Sequence, residues 1–424
     1  MAHADQDAFS IWAAAHAVPL ATVEPSADFS DLLALESMVG TARVVALGEN
    51  THGAHEPLEL RNRLFRFLVE QMGFSAIALE SGFTESSITD GFVAGRPGDM
   101  QSVLRGGLSS GSGRYGENRE LIQWLRHYNT AAAGHSTVRF YGIDLPAGGR
   151  ISGAKLALDY ALAYLSRGNA AAAGSIRTSL GDRLPSNDWK WGVMSTSALA
   201  ALERTISLIA KAMSESRSSL IAHSSVEEYR WALHNLEVAR QLAQCERVTT
   251  SKSFTDIRYS GPVIGCRDQA MAENVRWVVG NEGPKGRVLV FAHNGHIMNS
   301  KLDGGAWAGM QEKPLMMGAH LRRLFGKSLL IIATSSASAS AGLPQPEPLA
   351  DSIDDALARV GRPRMYLDLR PARRDTAAFA WLSMQHPLRA NIETHDLITP
   401  SSAVDVIVFL GRLTPAITSS DAAP

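Results

Sequence analysis

VVALGENTHGAHEPLELRNRLFRFLVEQMGFSAIALES, residues 44–81, changes its hydrophobic period twice. Its two ends are short apolar runs of the buried-strand type. Between them Leu60, Leu64, Phe67 and Leu68 recur at helical spacing, with Pro57 suited to a first turn and Gly73 to a left-handed stop. Strand, helix and strand in so short a stretch predict a βαβ unit, hence parallel pairing and a right-handed crossover. The turn between the first strand and the helix holds Glu49, His52, His55 and Glu56, more ionisable chemistry than a connection needs.

Similar apolar runs follow at 137–144, 287–294, 328–335 and 403–411, with a weaker one at 365–369. From 151 to 280 they stop, and long amphipathic stretches such as SALAALERTISLIAKAM replace them. The expected fold class is therefore α/β: a parallel-sheet core flanked by helices, built from residues 1–150 and 281–412, with an inserted helical subdomain at 151–280 and a flexible tail at 413–424. Two glycine- or serine-rich segments, 106–116 and 251–265, suit the rim of an active site.

With 41 basic and 42 acidic residues among 424, the balance draws the chain toward neither nucleic acid nor an anionic membrane, and a small molecule is the expected partner. Nothing sets the oligomeric state. Cys245 and Cys266 stand at no metal-type spacing and suggest neither a disulfide framework nor a zinc–thiolate site, a usage that suits a reducing cytoplasm. The N-terminus lacks the pattern of a cleaved signal, because Asp5, Asp7 and His16 interrupt it, and no apolar stretch reaches membrane-spanning length. A soluble, cytoplasmic protein is expected.

In a parallel α/β sheet, ligands bind beyond the carboxyl ends of the strands. Glu49 and His52 follow the first strand, Glu80 ends the second, Asp144 the third, and His293 with His296 the fourth, so the topology delivers them to one edge. Arg61 lies on a mainly apolar helix face with Leu58, Phe65, Leu68 and Met72, and must snorkel or reach a carboxylate such as Glu49 or Glu80. His55 and Glu56 sit where helix capping is expected and are left outside the catalytic set.

Carboxylates and histidines without a credible serine or cysteine nucleophile point to activation of water: His52 as base, Glu49 or Glu80 orienting it, Arg61 or His293 supporting developing charge. GLSSG (107–111) fits G-x-S-x-G and GSGRYG (111–116) fits G-x-G-x-x-G, but no strand feeds either. The rival chemistry is a metal: Glu49 and His52 form E-x-x-H, His293 and His296 form H-x-x-H, and such a set can hold zinc or manganese with an open position. The metal-free version is preferred, with no cofactor.

GENTHG, the arginine nine positions after its histidine, GFSAIALESGF, YGIDL, RDQAMAENVRW and FAHNGHI occur in the order seen in the erythromycin esterase family, which this sequence resembles. The resemblance implies a parallel α/β core with a helical subdomain and hydrolysis of a cyclic ester in macrolide antibiotics by a histidine-activated water. It maps onto Glu49, His52, Arg61, Glu80, His293 and His296. Where the family carries tryptophan-rich sequence, this chain has the glycine–serine stretch ending in Tyr115, which weakens the case for a macrolide. Tyr115, Arg119, Asp144 and His296 are the expected substrate contacts. The overall expectation is a hydrolase that opens an ester or lactone of a secondary metabolite; a biosynthetic tailoring enzyme and a non-catalytic small-molecule binder are the alternatives.

Overall fold

The computed structural model describes residues 2–131, 137–149, 153–180, 194–391 and 394–418. Its main sheet contains β1 (Val18–Pro19), β2 (Val44–Glu49), β3 (Ala76–Gly82), β4 (Arg139–Asp144), β5 (Val288–His293), β6 (Leu329–Ala339), β7 (Arg364–Asp368) and β10 (Val406–Leu413), in the order β1-β7-β10-β6-β2-β5-β3-β4. From β10 to β4 the strands run parallel, while β7 is antiparallel to β10 and β1 to β7. A separate hairpin joins β8 (His386–Asn391) to β9 (Thr394–Ile398).

All six residues of β2 are buried, which is why its sequence reads as a continuous apolar run. Val44 and Ala46 face one layer and Val45 and Leu47 the other, as strand alternation demands. The second layer is the His55–Met72 helix, which sends Leu64, Phe65, Phe67 and Leu68 into the core and ends at Gly73 with φ 69°. The first layer comes largely from 153–281: the helices Gly153–Gly168, Thr196–Glu215, Val226–Val248 and Gly261–Asn281 bury residues in the same cluster as Val44, Ala78 and Val290. The helical stretch thus shares the sheet's core.

Four expectations change. β2 and β3 are parallel, yet β5 lies between them and pairs with both, so the βαβ unit steps over one strand position. The long-range contact that places β5 is not visible in the local pattern. Neither His55 nor Glu56 caps its helix: the N-cap is Ala54, which offers no side-chain bond, and the Glu56 carboxylate instead accepts from the N–H and hydroxyl of Thr414 at 2.8 and 2.7 Å. The expected flexible tail starts too early, because Pro415 and Thr418 bridge to Ala54 and Tyr115; residues 419–424 lie outside the described residues.

The last change concerns the cysteines. Cys245 and Cys266 form a disulfide, with Cα atoms 5.5 Å apart. Two helices packed side by side bring them together across 21 residues of sequence. Disulfides persist in oxidising surroundings, so cysteine usage lends the cytoplasmic placement no support. Among the described residues no helix is long and apolar enough to cross a membrane.

Candidate active site

Parallel pairing puts Glu49 directly opposite His293 in register, and β5 sets His293 between Glu49 and Glu80. Beyond these strand ends opens a cavity of about 260 Å³ whose lining includes Glu49, His52, Arg61, Glu80, Tyr115, Asp144 and Arg267. Two glycines of the GENTHG turn make this approach possible. A Cβ on Gly48 would lie 2.1 Å from the Asn294 side-chain oxygen, and Gly53, at φ 72°, would carry one 2.8 Å from the Tyr115 hydroxyl oxygen.

His52 Nδ1 and Glu49 Oε1 are 2.6 Å apart, so the carboxylate fixes the ring and leaves Nε2 as the nitrogen for other work. The His52 side chain is 40% exposed, against 8% for Glu49. Partial burial on its own lowers the His52 pKa, but the charge and hydrogen bond of Glu49 outweigh it and raise the value above 6.5. Glu49 Oε2 is buried with no hydrogen-bond partner among the described residues. The His293 ring stands 4.6 Å from that of His52, centroid to centroid, and the His293 backbone N–H donates to Glu80 Oε2 at 2.9 Å.

The opposite wall is a network around Arg267. Its guanidinium donates to Asp144 at 2.9 and 2.8 Å and to Glu80 Oε1 at 2.9 Å. His296 lies between Asp268, 2.9 Å from Nδ1, and Glu80, 3.2 Å from Nε2. Burial disfavours its charged form, yet those two carboxylates hold its pKa at about 10, so it is an imidazolium at neutral pH and donates on both sides. Burial likewise works against ionised Glu80, and His296 and Arg267 overcome it, keeping that pKa well below 4.5. Asp268, fully buried, also accepts the Met317 N–H at 2.7 Å.

Not every expected residue plays its expected part. Arg61 is 1% exposed and lines the cavity, but it reaches neither Glu49 nor Glu80: its Nε and Nη2 donate to Asn62 at 3.0 and 2.7 Å, and the guanidinium lies 4.9 Å from the Phe291 ring centre. Desolvation lowers its pKa to about 10, so it stays charged at neutral pH. Of the expected substrate contacts, Tyr115 and Asp144 line the cavity, whereas Arg119 and His296 are not among its lining residues; His296 sits behind Arg267. Of the two glycine–serine rims, 106–116 contributes Ser109, Ser110, Ser112, Arg114 and Tyr115. The other, 251–265, packs Ile257 and Ile264 against Leu302, Met310 and Met316 instead. Ser109, centre of the G-x-S-x-G match, follows a helix and uses its hydroxyl to accept the Gly82 N–H at 2.9 Å.

Arg267 and Asp268 were missed as site residues. Asp268 shares a helical stripe with Met271, Val275 and Val278, and a carboxylate on an apolar stripe was the available signal, the same that singled out Arg61. The E-x-x-H and H-x-x-H residues do not converge on one point: among the described residues, the group of three ligand-type side chains close enough for one ion is Glu24, His55 and Glu59, outside this cleft.

A parallel α/β protein with a small-molecule cleft of carboxylates and histidines beyond its strand ends is the class that fold and site define. The sequence pattern of the erythromycin esterase family matches residues 69–412, and the chain belongs to that family of esterase-type hydrolases. It is similar to erythromycin esterase type II of Escherichia coli, 24% identical over 349 residues and 80% of each chain. Among solved structures, a Bacillus cereus protein superposes with a TM-score of 0.80 at 24% identity, covering 98% of this chain and 99% of that one. An erythromycin esterase mutant in its open conformation gives 0.67 at 19% identity, covering 93% and 97%.

Proposed function

We propose that this protein hydrolyses an ester or lactone of a small molecule by water that His52 deprotonates. The observation that carries the proposal is the 2.6 Å contact between Glu49 and His52 at the cavity wall, since a carboxylate on Nδ1 makes Nε2 a competent base and stabilises the imidazolium that results. Water gives its proton to Nε2 as its oxygen bonds to the carbonyl carbon. The charge that builds on the carbonyl oxygen falls to Arg61, a desolvated cation in the cavity wall that forms no direct ion pair among the described residues. When the ester C–O bond breaks, His52 returns the proton to the departing alcohol oxygen, so one water is consumed and an acid and an alcohol are released. His293, packed on the His52 ring, limits its swing, and Glu80 anchors the His293 backbone.

Family membership and the two erythromycin esterases among its relatives support a macrolide-type lactone as one substrate class. The cavity argues for a smaller ester: its rim is built of Ser109, Ser110, Ser112 and Tyr115 in place of large apolar rings. Incubation with a panel of macrolides and simple lactones, read by mass spectrometry for products one water heavier, tests both. Turnover of at least one panel member is the expected result; tight binding without turnover would make the protein a binder.

A further inference from the structure

A second cavity of about 500 Å³, separate from the cleft, is lined by Glu24, His55, Glu59, Asn62, Glu120 and Trp124. His55 and Glu59 are one helical turn apart at i and i+4, which puts both on one face of the His55–Met72 helix. Ligand-type atoms of Glu24, His55 and Glu59 all lie within 4.8 Å of one another. Ligands about 2.0–2.2 Å from a tetrahedral ion stand roughly 3.3–3.6 Å apart, so side-chain movement of at most about 1.5 Å closes the site.

We propose that Glu24, His55 and Glu59 form a binding site for a divalent transition-metal ion of the zinc or manganese type, with the remaining coordination positions open to the cavity. His55 Nδ1 is held by Glu117 Oε1 at 2.6 Å, which leaves Nε2 for the ion and reproduces the carboxylate–histidine–metal arrangement of protein metal sites. Glu59 is 3% exposed, and among the described residues its carboxylate accepts no N–H or hydroxyl hydrogen bond; its bonding neighbour is another carboxyl, that of Glu120. Glu59 thus has a carboxyl neighbour but no lysine or arginine in ion-pair contact among the described residues. Glu117 Oε2 is buried and has no hydrogen-bond partner among the described residues. The arginine of this cavity does not supply the missing charge, because Arg66 bonds to the Pro25 carbonyl and Glu70. Mixed histidine and carboxylate donors suit zinc or manganese better than calcium. The bound ion would tie the first turn of the helix, just beyond His52, to the segment carrying Glu24.

Isothermal titration of the full-length protein with zinc chloride, after chelator treatment and dialysis, tests this. A saturable site that survives in His52→Ala and weakens roughly tenfold or more in Glu59→Gln and in Glu24→Gln is the expected result. Glu24 is exposed, so its variant keeps the fold even if Glu59→Gln does not, and circular dichroism checks both. Absence of a saturable site, or one that persists in both glutamate variants, or one lost in His52→Ala and kept in Glu59→Gln, overturns the proposal. The site does not depend on the hydrolytic chemistry, so either can fail alone.

Discussion

On the β2 wall of the cleft, His52 keeps one ring nitrogen uncommitted, Glu49 has an oxygen without a partner, and Arg61 is a buried cation bonded only to an amide among the described residues. On the β3–β4 wall, Glu80, Asp144, Arg267, His296 and Asp268 use one another up in charge-assisted hydrogen bonds. The same residue types stand a few ångströms apart with opposite economies. A group that moves a proton needs an unspent lone pair and a shiftable charge; a group that holds geometry needs the reverse.

The largest effect expected from this contrast is at His52. Its replacement by alanine should lower kcat by about 10³-fold on any ester the wild type turns over, with an unchanged unfolding curve. Near wild-type turnover would remove it as the base. On the other wall, Arg267→Ala should act mainly on stability, costing about 3–5 kcal/mol in urea unfolding, because Glu80 and Asp144 are left as buried charges without their cation. A loss below about 1 kcal/mol would mean that this network is not what holds the wall. Next comes the disulfide, whose Cys266 immediately precedes Arg267. Breaking it by Cys245→Ala with Cys266→Ala should cost about 3 kcal/mol by the loop-closure argument, and denaturation with and without reductant measures it.

pH separates the walls most finely. In the proposed mechanism His52 must be neutral to take the proton, so kcat/KM should fall as pH drops through a value above 6.5, and Glu49→Gln should move that inflection downward. An inflection unmoved by Glu49→Gln would assign it to another group. For stability the signs differ by residue. Glu80, with its folded pKa well below 4.5, contributes above that ordinary value and loses its contribution as pH falls through the folded one. His296 contributes fully below 6.5 and loses its contribution as pH rises toward about 10. The β3–β4 wall should therefore be firmest between about 4.5 and 6.5, and His296→Gln should flatten the decline above that window in pH-dependent urea unfolding.

Much of this was legible from residues alone. The buried strands announced themselves because a strand covered on both faces must be apolar throughout, and parallel order then sent Glu49, Glu80, Asp144 and His293 to one edge. Less visible were features set by distant partners. Arg61 was recognised as an anomaly on an apolar face, but its neighbours, Asn62 and Phe291, depend on how helix and sheet meet. His55 and Glu56 looked like caps because a helix N-terminus attracts such residues, whereas Glu117 and Thr414, far along the chain, claim them.

The chain's order of apolar runs and turn residues determined the α/β class, the strand-end placement of the acids and histidines, and the Glu49–His52 spacing, since each depends on neighbours within a few residues or on the period of burial. Tertiary structure alone decided that β5 divides β2 from β3, that Cys245 meets Cys266, and that Arg267 rather than Arg61 pairs with Glu80. Which carboxylate an arginine reaches, and whether the two thiols meet at all, depends on packing distance, which chemically equivalent groups do not encode locally.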